Sequence, residues 1–172
     1  MLISKKLAQS FNRQIGNEFA TSLQYTAIGA YFAAESLPEL SKFFNAQAGE
    51  ERDHAQKLLN YVVDMGGTAS IPGLPAPKCA FKSALEAVQL ALDSEMEVTK
   101  QINGLVDQAI KEADHQAQNF LQWFVNEQRE EVTTMDFLVK LLKRAGTQLL
   151  YVEEYLARNG VPSAAGEAQA GA

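Results

Sequence analysis

Residues 36–67, SLPELSKFFNAQAGEERDHAQKLLNYVVDMGG, decide the fold of this chain. Apolar side chains recur along the segment at spacings of three and four, which is the period of one face of an α-helix. Ser36-Leu37-Pro38-Glu39 predicts a capping box with proline in the first turn, and Gly66-Gly67 predicts the end of the helix. The middle of the apolar stripe is occupied by Gln47, Glu51 and His54. The segment therefore predicts a long helix with polar groups on the face that should be buried.

The rest of the chain has the same period, and it lacks runs in which polar and apolar residues alternate, which predicts an all-α protein. Further helices are predicted at 4–34, 83–113, 116–145 and, much shorter, 147–158. The third helix begins with a second capping box, Ser83-Ala84-Leu85-Glu86, whereas neither Gly nor Pro marks the break before the fourth. Residues 1–158 are expected to form one domain, and the Ala- and Gly-rich segment 159–172 is expected to be disordered.

The connections between the helices predict a topology. Almost nothing joins the first helix to the second, or the third to the fourth, so each pair should be antiparallel neighbours. The link between the pairs, 66–82, has 17 residues. It can extend over ~55 Å at ~3.3 Å per residue, whereas the long helices measure ~40 Å at ~1.5 Å per residue. We therefore predict a four-helix bundle with one long crossover and a short fifth helix.

Composition limits the classes of function. The 172 residues are 47% hydrophobic and carry a formal net charge of −6, which disfavours nucleic acid and anionic membrane surfaces as partners and suits metal cations. The single cysteine, Cys79, excludes an intrachain disulfide and fits a reducing compartment. No apolar run approaches the ~20 residues of a membrane helix, and no apolar stretch follows Lys5 and Lys6 as in a secretory signal. A cytoplasmic protein is expected.

Each long helix carries an acid in the middle of its apolar stripe. Counted from the loop that it shares with its neighbour, each acid lies 15 to 18 residues into its helix. All four should therefore lie within one helical turn of the same height. The residues expected to point into this layer are Glu18, Glu51, His54, Glu95 and Glu131.

Such a layer predicts a metal centre. Each unpaired buried carboxylate would cost several kcal/mol, so protons or cations must compensate the charge. Two divalent ions would balance four glutamates. Oxygen ligands with one imidazole suit iron or manganese, and Glu51 and His54, three residues apart, can reach one metal together. Any one of these acids alone is more often a boundary residue that reaches solvent, but five such residues in one layer favour the metal.

Four motifs extend the interpretation to a family. They are Gly16-Asn17-Glu18-Phe19, Gly49–Ala55, Ser94-Glu95 and Phe120–Glu131. Together they resemble the ferritins, specifically the non-haem bacterial type, over about residues 4–158. The resemblance implies a diiron ferroxidase centre in which Glu18, Glu51 and His54 form the first iron site, Glu95 and Glu131 form the second, and Glu51 bridges the two.

The resemblance also implies roles for residues around the iron pair. Gln128, one turn before Glu131, matches a metal-binding family position beside the pair. A third iron site toward the cavity is implied by Glu50, Glu127 and Glu130, with Glu131 shared. Tyr25 matches an aromatic residue that the family is thought to use in electron transfer, although ordinary core packing explains a tyrosine there equally well. Trp123 is expected to be a packing residue.

Two departures separate the chain from the haem-binding bacterioferritins. Arg52 stands where those proteins have a methionine, and Glu130 or Glu131 stands where they have a second histidine on the fourth helix. No haem is therefore expected. Rubrerythrins are excluded because they need a site of four cysteines.

The resemblance implies iron storage: Fe(II) is oxidised by dioxygen or hydrogen peroxide, and the Fe(III) mineral is held in a homo-oligomeric shell of 24 subunits. At −6 per chain such a shell carries a formal charge of −144, which attracts cations. The apolar residues of the fifth helix cannot fit inside a filled four-helix core and are expected to pack against other subunits. They are Leu149, Leu150, Val152, Tyr155 and Leu156.

Two other functions stay open at this point. One is a diiron or dimanganese redox enzyme that acts on peroxide or an organic substrate without storage, which the absence of a cage in light scattering would favour. The other is a metal-free helical interaction protein, which a failure to bind iron would favour.

Overall fold

The computed structural model describes residues 2–162 and contains five helices within that range and no strand. They are α1 (Lys5–Ala34), α2 (Pro38–Asp64), α3 (Ala84–Lys111), α4 (His115–Ala145) and α5 (Leu149–Asn159). The predicted all-α class and the five helices are confirmed. The segment expected to be disordered lies mostly outside the described residues, at 163–172. Among the described helices none is both long and apolar enough to cross a bilayer.

The helix pairs are antiparallel, as predicted. Ser22 Oγ donates to the carbonyl of Ala48, and Ser41 Oγ donates to the carbonyl of Gly29, so α1 and α2 run in opposite directions. Across the other pair, Thr99 Oγ1 donates to Gln128 Oε1 at 3.0 Å and Gln118 Nε2 donates to the carbonyl of Ala109 at 3.3 Å, so α3 and α4 also run in opposite directions. The crossover from α2 to α3 then has to return the chain along the bundle.

The crossover runs the length of α1. Near one end, the Asn12 amide donates to the carbonyl of Thr68, and further along the Gln24 amide donates to the carbonyl of Lys78. Between them Gly16 lies against Pro72, because a Cβ at residue 16 would lie 2.3 Å from the proline Cγ. This close approach explains why the motif around Glu18 contains a glycine.

Two helix ends differ from the sequence-based predictions. Ser36 was predicted to cap α2, and this is wrong: it has a left-handed φ of 59° and closes α1, while Leu37 takes the N-cap position without a side-chain bond. Pro38 explains the shift, since the residue before a proline is pushed out of the helical region. The break between α3 and α4 is made by Ala113, which is left-handed at φ 51° without being glycine. Asp114 then caps α4 by accepting the N–H of Ala117 at 2.9 Å.

The missing cap of α2 is supplied by α5. The carboxylate of Glu153 accepts the backbone N–H groups of Glu39 at 2.7 Å and Leu40 at 3.0 Å. The prediction that the apolar residues of this helix pack against other subunits is wrong for Val152 and Leu156. Because α5 packs against α2 and α4, these two residues, on the same side of α5 as Glu153, are buried in the core of the chain's own bundle. The other side of α5 is solvent-exposed in the single chain, and it carries Leu150, Tyr151 and Tyr155.

Replacing Glu153 with glutamine should destabilise the fold. The amide has one acceptor oxygen where two N–H groups need partners, so a buried donor is left unsatisfied at a cost of ~1–3 kcal/mol. Chemical denaturation of both proteins measures the change in the free energy of unfolding. Glu154→Gln is the matched control, because Arg158 is the sole ion-pair partner of Glu154 within residues 2–162 and the pair lies on the surface. Equal losses in both variants would rule out the capping role.

The core is divided into two apolar clusters by a polar layer. One cluster contains Phe32, Phe44 and Leu138 near the α5 end, and the other contains Phe11, Leu58 and Leu121 near the opposite end. The acids predicted to point inward lie between them.

Candidate metal centre

The structure brings the five predicted donors together in this layer. Each is almost fully buried: Glu18 is 1% exposed, Glu51 0%, His54 5%, Glu95 0% and Glu131 4%. Two overlapping groups consist only of these five residues, and within each group the donor atoms lie within 4.8 Å of one another. The first contains Glu18, Glu51 and His54, and the second contains Glu51, Glu95 and Glu131. Glu51 is thus the residue common to both groups.

Aromatic packing and one hydrogen bond fix the His54 imidazole. Its Nδ1 lies 3.2 Å from Glu51 Oε2. The ring has edge-to-face contacts with Trp123 and Phe124, at centroid distances of 5.3 and 6.0 Å. The Lys57 ammonium lies over the Trp123 ring, with Nζ 3.4 Å from the ring centroid. Trp123 therefore packs beside the centre, as expected.

Three carboxylate oxygens in the layer have no hydrogen-bond partner among the described residues. They are Glu18 Oε2, Glu51 Oε1 and Glu95 Oε2. Leaving a buried acceptor unpaired costs ~1–3 kcal/mol, and more when it is charged. Three such atoms in a layer of hard oxygen donors fit bound cations, because one cation in each donor group would satisfy all of them.

The electrostatics agree with that fit. Burial, then the neighbouring Glu51, raises the pKa of Glu18 well above its usual value. Burial raises the pKa of Glu95 to about 7, although the Tyr25 hydroxyl that donates to it lowers that value. Burial and repulsion from Glu95 raise the pKa of Glu131 to about 9. Without metal, the layer favours bound protons, and divalent ions must displace them.

The metal-free protein should therefore lose stability as the pH rises. The folded pKa values of Glu95 and Glu131 exceed the unfolded value of 4.5, so their contribution is complete below about pH 4.5 and is lost as the pH rises through about 7 and about 9. We expect the Tm of chelator-treated protein to fall by at least ~5 °C across this window, since 1 kcal/mol is worth ~2–4 °C in a chain of this size. Glu131→Gln should flatten the upper part of the curve; an unchanged profile would contradict the pKa assignments.

Tyr25 and Gln128 border the second group. Tyr25 is fully buried, and its hydroxyl donates to Glu95 Oε1. Its ring packs edge-on against Phe44, 5.6 Å away, so the residue belongs to the apolar cluster as well as to the centre. The Gln128 amide oxygen accepts from Thr99, and a hydrogen bond from Gln128 lowers the pKa of Glu95.

The acids predicted to form a third site line a neighbouring cavity of about 280 Å³, which also reaches Glu131. They are Glu50, Glu127 and Glu130. Glu127 comes closest to the centre, since its oxygen lies within 4.8 Å of donor atoms of His54 and Glu131. Glu50 instead accepts a hydrogen bond from the Gln47 amide at 2.6 Å, and partial burial raises its pKa.

Sequence reasoning missed the residue that contacts Glu18 of the first group. Gln14 is buried, and its Nε2 donates to Glu18 Oε1 at 2.8 Å. The signal was present, because the two residues are four apart on the buried stripe of one helix. A stripe position alone does not say which polar neighbour a side chain contacts.

Comparison with known proteins gives consistent matches. A family model described as a ferritin-like domain matches residues 8–145. Ferritin BfrB of Mycolicibacterium smegmatis is 44% identical over 145 residues, which cover 84% of this chain and 80% of that protein. The bacterial non-heme ferritin of Staphylococcus haemolyticus is 36% identical over 162 residues, covering 92% and 98%. An open-pore ferritin of the archaeon Archaeoglobus fulgidus superimposes with a TM-score of 0.87 at 33% identity, covering 90% and 96%. The family match includes all five residues of the centre.

Proposed function

This chain belongs to the ferritin family, the iron-storage proteins, and from that premise we propose that its buried layer is a ferroxidase centre. The observation that carries the proposal is the pair of overlapping donor groups that share Glu51. The substrate is Fe(II), two ions per turnover. The product is Fe(III), which is stored as mineral inside an oligomeric shell.

The protein residues bind, pair and desolvate the substrate. Glu18 and His54 hold one ion, Glu95 and Glu131 hold the other, and Glu51 bridges them. Two Fe(II) ions give up two electrons. Dioxygen takes them with two protons to form hydrogen peroxide, or hydrogen peroxide takes them with two protons to form two waters. The four carboxylates offset the +4 charge of the ion pair, and the apolar clusters on both sides exclude solvent.

We propose that Tyr25 takes part in electron transfer at the second site. Its hydroxyl donates to Glu95, so it contacts a ligand directly. Gln128 completes that side of the centre by its hydrogen bonds to Thr99 and Glu95.

A third iron position completes the proposal. Glu50, Glu127 and Glu130 line the cavity beside Glu131, so an ion there would lie on the path out of the centre. The acids of this cavity are partly exposed, whereas the acids of the two buried sites are not. Partial exposure suits transient binding of an ion in the cavity.

Glu130→Ala tests this third position. It removes a cavity carboxylate that belongs to neither buried donor group, so two irons should still bind while turnover and the iron-to-oxygen ratio change. Anaerobic Fe(II) titration counts the ions, and oxygen-electrode measurements give the ratio. Glu131→Ala is the contrasting variant and should lose an ion of the pair. If Glu130→Ala also failed to bind the two buried irons, the separation of the buried iron pair from the third position in the cavity would be wrong.

We propose that the shell contains 24 copies in the cytoplasm. The exposed apolar side of α5, with Leu150 and Tyr151, needs cover from neighbouring subunits. The single cysteine suits a reducing compartment.

Anaerobic Fe(II) titration followed by exposure to air, with particle size measured in parallel, tests the whole function. We expect two tight ions per chain, rapid oxidation, and a cage that accumulates many more irons than it has centres. Oxidation without a cage would instead indicate a redox enzyme, and no iron binding would overturn the proposal.

A further inference from the structure

The contact between α1 and α3 is a row of polar side chains that leads to the metal centre. Ser10 Oγ donates to Gln108 Oε1 at 2.7 Å. About two turns further along α1, Asn17 Nδ2 donates to Gln101 Oε1 at 2.9 Å. A cleft of about 380 Å³ opens between these helices, and Gln14 and Asn17 are among its lining residues. The row therefore connects the outer face of the bundle with the buried layer.

The amides of this row have a defined direction. Asn17 Nδ2 donates to Gln14 Oε1 at 3.2 Å as well as to Gln101. With its oxygen used as the acceptor, Gln14 must present Nε2 to the other side, where it donates to Glu18 Oε1 at 2.8 Å. The chain Gln101–Asn17–Gln14–Glu18 thus links α3 to a ligand on α1.

The hydrogen-bonded series of amides contacts only one oxygen of the Glu18 carboxylate. Glu18 Oε1 is held by the amide, whereas Oε2 is buried and has no partner among the described residues. A glutamate has three rotatable bonds, so anchoring one oxygen selects one orientation and leaves the other oxygen free for the ion. Glu95 is held in the same way from the opposite side by the Tyr25 hydroxyl.

We propose that Gln14 is the positioning residue of Glu18, and that Asn17 orients the Gln14 amide from across the α1–α3 contact. This inference rests on the proposed function, since it takes Glu18 to be a ligand of the first site. Outer residues that orient a metal ligand commonly change metal affinity by ~10–100-fold when they are removed. The effect should be confined to the site that contains Glu18 and His54.

The test uses Co(II), which binds oxygen and nitrogen donors and reports on each site by its visible spectrum. Gln14→Met keeps the volume of the side chain and removes the donor, and it should weaken the first site by ~10–100-fold while leaving the second unchanged. Asn17→Leu should weaken the same site less. The double variant should match Gln14→Met alone, since both residues act along one path.

Two controls separate this role from a structural one. Ser10→Ala breaks the Ser10–Gln108 contact in the same row without touching Glu18, so both Co(II) affinities should stay at the parental values. The Tm of each metal-free variant shows whether folding has changed. Equal weakening of both sites by Gln14→Met, or no weakening at all, would overturn the positioning role.

Glu18→Ala keeps the two proposals distinguishable. If it loses the first site while Gln14→Met binds as the parent does, the centre stands and the positioning role fails. If Glu18→Ala itself binds two ions normally, Glu18 is not a ligand and both proposals fail.

Discussion

Glu51→Ala should abolish fast Fe(II) oxidation, with a loss of rate of at least ~100-fold. Residues that merely orient a ligand cost ~10–100-fold on removal, and Glu51 is the one residue that belongs to both donor groups. Its loss takes a ligand from each ion and also the bridge that keeps them paired. Stopped-flow absorbance of the Fe(III) product after mixing with air-saturated buffer measures the rate.

The matched control for this experiment is Glu97→Ala. Glu97 lies two residues from Glu95 on α3 but is exposed and paired with Lys100 at 3.4 Å, so its rate should equal that of the parent. His54→Ala should impair the first site more than the second, because the imidazole is a member of the group with Glu18. If Glu51→Ala oxidised iron at the parental rate, the assignment of the centre would be wrong.

The second large effect is a gain in stability. Glu95→Leu should destroy ferroxidase activity and, in metal-free protein, relieve repulsion with the other buried carboxylates. Replacing a buried ionic group by a well-packed apolar one is often neutral or stabilising by ~1–4 kcal/mol. The structure adds a complication, because the same change leaves the Tyr25 hydroxyl with the carbonyl of Ala91, 3.4 Å away, as its remaining acceptor.

A double variant, Glu95→Leu with Tyr25→Phe, removes both members of the pair and avoids the stranded hydroxyl. We expect the unfolding free energy to rise in the order parent, single Glu95→Leu, double variant, in chelator-treated protein at a pH above the Glu95 pKa of about 7. Tyr25→Phe alone is the control for the hydroxyl. A double variant less stable than the parent would show that the acids form a structural network rather than a site kept for metal.

Much of this architecture could be predicted from the sequence because period and stripe position are local properties. The four acids and His54 were predicted to lie in one layer, and the structure places them there, since the spacing along each helix fixes their height and direction. The long crossover followed from comparing the reach of 66–82 with the length of a helix. Whether these residues hold iron stays a prediction.

The parts that could not be predicted depend on contacts between distant residues or on unusual backbone. Glu153 caps a helix that begins more than a hundred residues earlier, and its sequence neighbourhood carries no sign of this. Ala113 adopts a left-handed conformation that usually marks glycine, so the boundary between α3 and α4 had no signal. The predicted capping role of Ser36 failed because Pro38 determined the turn.

The polar layer that divides the core has a consequence for cooperativity. The two apolar clusters are joined only through a polar layer with unpaired oxygens, so few packing contacts connect them. We therefore expect either end of the metal-free bundle to open without the other. Ions bound in the layer would hold all four helices at their midpoint and couple the two halves into one unfolding unit. The substrate would then also stabilise the fold, and a subunit without iron would unfold less cooperatively than a subunit that has bound it.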